Sequence, residues 1–211
     1  MALITGIILS YLIGSIPTAY IFGRIVKGVD IRKHGSGNVG ATNAFRVLGA
    51  GFGITVLLLD ALKGLVCVVS LADYILSRGL GLNPLMLRVL LGLTAVAGHS
   101  WTVFLNFKGG KGMAATLGVF LGLSIKFPFL RIILLAEIAL WLAVFFSSRI
   151  VSLASIVSAI AFPIFFIIFK QPPYLILMSF ILSLLIVFRH KSNISRLLRG
   201  QESRINFSRK S

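Results

Sequence analysis

Two short segments of this chain concentrate residues able to hold an anion. The first reads Lys33-His34-Gly35-Ser36-Gly37-Asn38-Val39-Gly40-Ala41-Thr42-Asn43-Ala44-Phe45-Arg46. Glycine lets backbone N–H groups come close to a phosphate and tolerates positive φ. Ser36, Asn38, Thr42 and Asn43 add small polar groups, and Arg46 adds a planar fork that matches phosphate oxygens. Gly35, Gly37 and Gly40 satisfy G-x-G-x-x-G, but no βαβ unit surrounds them, so a dinucleotide fingerprint is rejected. The competing reading is a polar spacer, and the density of polar residues argues against it.

The second segment reads Phe107-Lys108-Gly109-Gly110-Lys111-Gly112 and runs into an apolar stretch. Its spacing is wrong for a Walker A loop. Two lysines and three glycines at a helix N-terminus still make a phosphate or acyl-phosphate site, because free N–H groups and the helix dipole point at the ligand. A positive membrane anchor would need the lysines but not the glycines. His99 precedes this segment, and a histidine in a membrane helix faces a cavity or a partner. Asp60 and Lys63 share one helix face and neutralise each other there, as helix cement or as support for a site. Ser152 and Ser155 follow Arg149, where serines ordinarily bond the preceding turn. His190 and Asn193 stand three apart in the closing polar stretch.

These residues must be positioned by membrane helices. Of the 211 residues, 57% are hydrophobic and 12% charged, about half the charge of a soluble domain, and mean hydropathy is +1.00. Disorder is excluded, and a soluble nucleic-acid binder is disfavoured despite the net charge of +16. A single cysteine, Cys67, excludes an internal disulfide, and five carboxylates leave little for metal chemistry. Neither metal nor cofactor is expected. Apolar runs at 3–22, 50–72, 85–104, 131–146, 150–169 and 172–188 approach or reach the ~20 residues of a spanning helix. A seventh run, 113–125, reaches only roughly 20 Å. The expected fold is all-α: a polytopic integral membrane protein of about seven transmembrane helices.

With the N-terminus outside and the C-terminus in the cytoplasm, 15 basic residues fall inside and five, including Arg88, outside. All the polar clusters then lie at cytoplasmic helix ends. Residues 1–200 are expected to form one membrane-embedded domain and 201–211 a basic tail near anionic lipid.

Ser36-Gly37-Asn38-Val39-Gly40-Ala41-Thr42-Asn43, Gly98-His99 with Phe107-Lys108-Gly109-Gly110-Lys111-Gly112, and His190-Lys191-Ser192-Asn193-Ile194 closely resemble the motifs of the bacterial PlsY-type acyl-phosphate:glycerol-3-phosphate acyltransferases. The resemblance runs over nearly the whole chain; Met113 departs from it, standing where a smaller or branched residue is common. It implies a bacterial inner-membrane enzyme with its active site facing the cytoplasm. Such an enzyme moves a fatty acyl group from acyl phosphate to the 1-hydroxyl of glycerol 3-phosphate, giving lysophosphatidic acid at the start of phospholipid synthesis. The resemblance implies no need for coenzyme A, acyl carrier protein or nucleic acid, and membrane lipids as neighbours. Carried over residue by residue, Ser36, Arg46, Lys111, Ser152, His190 and Asn193 would hold the two phosphorylated substrates. Asn38, Thr42, Lys108, Gly109, Gly110 and Gly112 would complete the phosphate cradle. Apart from the resemblance, Asn43 is a further phosphate-binding candidate from the first segment, and Asp60 and Lys63 are supporting candidates from their shared helix face. Ser36, His99, Lys111 and His190 are the candidate catalytic residues.

Acyl phosphate is already activated, so direct attack by the glycerol hydroxyl is the simplest route, with positioning and charge stabilisation as the enzyme's main work. His99 is one candidate base and the substrate phosphate another; an acyl-Ser36 intermediate ranks lower. The rival class is a transporter of a phosphorylated anion, which predicts polar groups at mid-bilayer depth and two related halves. No internal repeat is visible.

Overall fold

Proline at position 17 lacks an N–H and disfavours helix at the residue before it, so the first apolar run is broken near its middle. The computed structural model describes residues 1–79 and 81–205, and every regular element among them is helical. The first run becomes α1 (Ala2–Ser15) and α2 (Thr18–Lys27). The first polar segment leads to α3 (Ala41–Leu48), which meets α4 (Ala50–Val66) at Gly49, where φ is 100°. α4 continues through a π-helical turn, Cys67–Leu71, into α5 (Ala72–Leu76). α6 (Pro84–Ser100) starts at Asn83, whose Oδ1 accepts the Leu85 and Met86 N–H groups at 3.0 Å. The second glycine segment leads to α7 (Met113–Lys126). α8 (Arg131–Ser148), α9 (Val151–Ile168), α10 (Pro173–Arg189) and α11 (Lys191–Leu198) complete the order.

All seven expected apolar segments are therefore helical. Among the described residues, five spans are long and apolar enough to cross a bilayer: Ala2–Lys27, Ala50–Leu76, Pro84–Leu105, Pro128–Ser148 and Val151–Ile168. Pro173–Arg189 and Lys191–Leu198, bent by 60°, make a sixth if counted together, and α7 is the short helix its apolar run predicts. Leu58, Leu135 and Leu184 stay exposed on these helices, which suits a lipid solvent and not water.

The chain divides into two compact units, Met1–Pro128 and Phe129–Ser211. Of the tail expected over 201–211, residues 206–211 lie outside the described residues. In the first unit small residues let helices approach closely, as lipid-embedded packing requires. A Cβ on Gly14 would strike the Ala95 backbone of α6, and one on Gly118 would strike the Ala61 backbone of α4. Ser10 Oγ donates to the Leu91 carbonyl at 2.6 Å, and Thr102 Oγ1 donates to the Ser15 carbonyl at 2.5 Å. These contacts bring α1, α4, α6 and α7 together around Asp60 and His99. In the second unit α9 packs against both α8 and α10.

Arg88 corrects its expected place in an outer connection: it lies in the second turn of α6 and is buried. Its Nη1 donates to the Val68 carbonyl at 2.5 Å and the Val69 carbonyl at 3.3 Å, both in the π-helical turn. Its Nη2 pairs with Asp73, which also binds Lys126 at 2.5 Å. The π turn loosens the regular carbonyl ladder, and the guanidinium satisfies two of its oxygens.

Candidate active site

The first glycine segment is a braced structure and not a loose spacer. Asp30 starts it by accepting the Arg32 N–H at 3.0 Å, which caps a 3-10 turn over Ile31–Lys33. The Arg32 guanidinium binds the same carboxylate at 2.9 and 2.7 Å, with Arg24 behind it at 3.7 Å. This pairing holds the Asp30 carboxyl far below the ordinary carboxylate range. Asn43, inside α3, reaches back: its Nδ2 donates to the Ile31 and His34 carbonyls at 3.1 Å, and its Oδ1 accepts the Ser36 N–H at 2.8 Å. Val39 pins the far end of the segment in a core with Ala19, Ile31, Ala44, Leu48, Val56 and Leu105.

Asn43 was expected to bind phosphate. In the structure both ends of its buried amide hold the loop closed. Ser36 and Arg46 stay exposed at the rim, with Asn38 and Thr42 half-buried.

The second segment is fastened to the end of α6. The Gly109 N–H donates to the Ser100 carbonyl at 3.1 Å, and the Gly110 N–H donates to the His99 carbonyl at 3.0 Å. Those two N–H groups close the turn. Both glycines are needed for clearance. A Cβ on Gly109 would collide with the His99 carbonyl, and one on Gly110 with His99 Nε2. Asn106 and Phe107 precede them at φ 52° and 60°, a conformation that costs non-glycine residues on the order of 1 kcal/mol or more each. Gly112, at φ 86°, caps α7, whose first N–H groups have no partner within the helix. Lys111 is half-buried beside this end, Lys108 is exposed, and Thr116 Oγ1 is buried without a hydrogen-bond partner among the described residues.

Behind both segments lies a buried polar cluster. Asp60, Lys63 and His99 are 1%, 7% and 6% exposed. Asp60 Oδ1 accepts from Thr18 Oγ1 at 2.6 Å and from Lys63 Nζ at 2.9 Å, and His99 Nδ1 stands 3.6 Å away. Lys63 Nζ also donates to the Ile16 carbonyl at 3.1 Å, an oxygen released where Pro17 breaks the helix. Asp60 Oδ2 has no hydrogen-bond partner among the described residues. A small pocket is lined by Thr18, Asp60, Lys63, His99, Val39 and Gly110 among others, so both glycine segments border it. Thr18 was missed in the sequence; its one signal is a hydroxyl directly after a proline inside an apolar run.

The second unit gathers Ser152, His190 and Asn193, all buried, and adds a residue that sequence reasoning missed. Glu202 accepts from Ser152 Oγ at 2.9 Å, Asn193 Nδ2 at 2.7 Å and Arg196 Nε at 2.6 Å. His190 Nδ1 lies 2.8 Å from the Ile186 carbonyl.

Residues 4–200 match the family model described as Glycerol-3-phosphate acyltransferase. The chain belongs to that family. A glycerol-3-phosphate acyltransferase from Fusobacterium nucleatum is 44% identical over 207 residues, covering 98% of this chain and all of the relative. One from Desulforudis audaxviator is also 44% identical over 207 residues, with 98% of each chain covered. The acyltransferase fold is shared with a crystal structure of PlsY (YgiH), an integral membrane glycerol 3-phosphate acyltransferase, in its glycerol 3-phosphate form. The TM-score is 0.84 at 38% identity, covering 98% of this chain and 96% of that one. The lysophosphatidic acid form of the same enzyme gives 0.80 at 37% identity. This acyltransferase family member is accordingly an integral membrane protein.

Proposed function

We propose that the protein transfers an acyl group from acyl phosphate to the 1-hydroxyl of glycerol 3-phosphate, releasing inorganic phosphate and forming lysophosphatidic acid. The observation that carries this reading is the meeting of two glycine-rich segments, through Val39 and Gly110, at one pocket beside His99. Ser36, Asn38, Thr42 and Arg46 on the first segment serve one phosphorylated substrate. Lys108, Lys111, Gly112 and the N-terminus of α7 serve the other, where free N–H groups favour an anion. Within the second unit, Ser152, His190 and Asn193 are further candidate substrate-binding residues, with Glu202 holding Ser152 and Asn193 in place.

The hydroxyl oxygen attacks the acyl carbonyl carbon, the carbon–oxygen bond to phosphate breaks, and an ester bond forms. The hydroxyl proton passes to His99 or to a phosphate oxygen. Lys111 and the backbone donors at the start of α7 offset the charge on the departing phosphate. No protein nucleophile is required, because phosphate is already a good leaving group. The reaction faces the cytoplasm of a bacterial inner membrane, where the basic rim of Arg24, Arg32, Lys33 and Arg46 meets anionic headgroups.

The test is incubation of purified protein in detergent with acyl phosphate and glycerol 3-phosphate, without coenzyme A thioester or acyl carrier protein. Lysophosphatidic acid and one equivalent of inorganic phosphate are expected. Product formation with an acyl thioester alone overturns the donor assignment. Covalently acylated protein, trapped with donor alone, overturns direct transfer.

A further inference from the structure

We propose that Asp60 is a positioning residue for this reaction, setting the orientation and tautomer of His99. The proposal rests on the acyl-transfer reading above. Asp60 Oδ1 is held by Thr18 and Lys63, and His99 Nδ1 faces that same oxygen at 3.6 Å. This is just outside hydrogen-bond length, and such bonds often tighten only once substrate is bound. With Nδ1–H directed at the carboxylate, Nε2 is the lone-pair nitrogen, and Nε2 is the ring atom beside Gly110. The imidazole is thus the wall against which the lysine-bearing segment packs. Gly110 also donates its N–H to the His99 carbonyl, so the histidine sets the turn through both its backbone and its ring.

A purely structural ion pair does not account for this geometry. Two buried charges recover their desolvation cost poorly, and well-packed apolar side chains of similar size are often as stable or more so. Lys63 has a second acceptor in the Ile16 carbonyl, whereas Asp60 gathers Thr18, Lys63 and His99 from three helices onto one oxygen. A carboxylate that holds a histidine from behind fixes which nitrogen carries the proton and stabilises the ring when it becomes charged.

Five proteins separate positioning from charge balance: wild type, Asp60→Asn, the double variant Asp60→Asn/Lys63→Met, His99→Asn, and His99→Asn carrying Asp60→Asn as well. Asp60→Asn is expected to lower kcat at least about tenfold, with the KM for glycerol 3-phosphate nearly unchanged. The double variant removes both charges and keeps a neutral core, so it is expected to fold and to remain kcat-defective. Adding Asp60→Asn to His99→Asn is expected to cost little more than His99→Asn alone, because the two act as one unit. Recovery of kcat in the double variant, or independent multiplication of the Asp60 and His99 losses, overturns the proposal. A readout independent of turnover is 15N NMR of labelled wild-type histidines, assigned with His99→Asn. The Nδ1–H tautomer of His99 is expected, and the Nε2–H tautomer overturns the positioning role even in a protein with no acyl-phosphate activity.

Discussion

Asn43 Oδ1 receives the Ser36 N–H at 2.8 Å, seven residues back along the chain, while its Nδ2 holds the carbonyls of Ile31 and His34. One buried side chain therefore shapes the segment that presents Ser36 to the rim. Asn43→Ala is expected to cost about 2–4 kcal/mol, because it strands three backbone groups in a poorly hydrated place. Asn43→Asp keeps the acceptor but turns the two donors into an oxygen facing two carbonyls, so it is expected to be no better. Thermal unfolding in detergent checks the first effect. The same measurement on Asn43→Asp checks the second, and a rise in KM for the phosphorylated substrates is expected in the folded fraction of either variant.

The contrast between glycines gives a sharper test of the second segment. Gly110→Ala places a methyl group against His99 Nε2, and Gly109→Ala places one against the His99 carbonyl. The first neighbour is a ring held in a buried cluster and the second is backbone, so the ring must shift or the turn must open. Gly51, at the start of α4, has no neighbour within 4 Å of a built Cβ and no positive φ. Activity is expected to fall by a factor of ten or more, on the order of 1.4 kcal/mol in the barrier, for Gly109→Ala and Gly110→Ala. Gly51→Ala is expected to match wild type. Steady-state kinetics on monodisperse protein decides it.

Much of the fold was legible because lipid imposes a coarse code: long apolar runs without charge must be helices. The short α7 was legible for the same reason. The helix break at Pro17 was written in the chain, yet 3–22 read as one span, because length and apolarity outweigh one proline in such a count. The site was legible as composition and not as geometry. Asn43, Gly109 and Gly110 carry the right residue types for phosphate binding, but their polar groups are used in folding the loops themselves. Nothing in local spacing shows which hydrogen bonds a loop reserves for its own backbone. Thr18, Asp60 and His99 meet from three helices, and Glu202 meets Ser152 from fifty positions away. Such meetings depend on helix packing, here set by the small residues Gly14 and Gly118, and no single segment contains them.

Arg88 offers a prediction that separates stability from catalysis. Its guanidinium binds two carbonyls of the π-helical turn and the Asp73 carboxylate. Arg88→Met fills similar volume without donors, leaving those carbonyls unsatisfied away from water. A loss of about 1–3 kcal/mol is expected. The residue stands apart from the glycine segments, so the KM values of the folded variant are expected to be those of wild type. Unfolding temperature and kinetics measured on one preparation check both halves.

Glu202 makes stability depend on pH in a defined direction. Burial by itself would raise its carboxyl, but hydrogen bonds from Arg196, Asn193 and Ser152 outweigh that and hold it below its ordinary value of 4.5. A carboxyl lowered in the folded state stabilises the fold above its unfolded value, and the benefit disappears as pH falls through the folded value. The wild type is therefore expected to unfold at a higher temperature than Glu202→Gln at neutral pH, with the gap shrinking below about pH 4.5 as the carboxylate takes up its proton. Ser152 and Asn193 share Oε1 and Arg196 uses Oε2, so a glutamine amide, with one acceptor oxygen, leaves either Arg196 or both Ser152 and Asn193 without their charge-assisted bond. Thermal unfolding of both proteins from pH 7 to pH 3 provides the check. A gap that stays constant across that range would show that the carboxylate acts through its shape alone, with the three donors contributing nothing that depends on its charge.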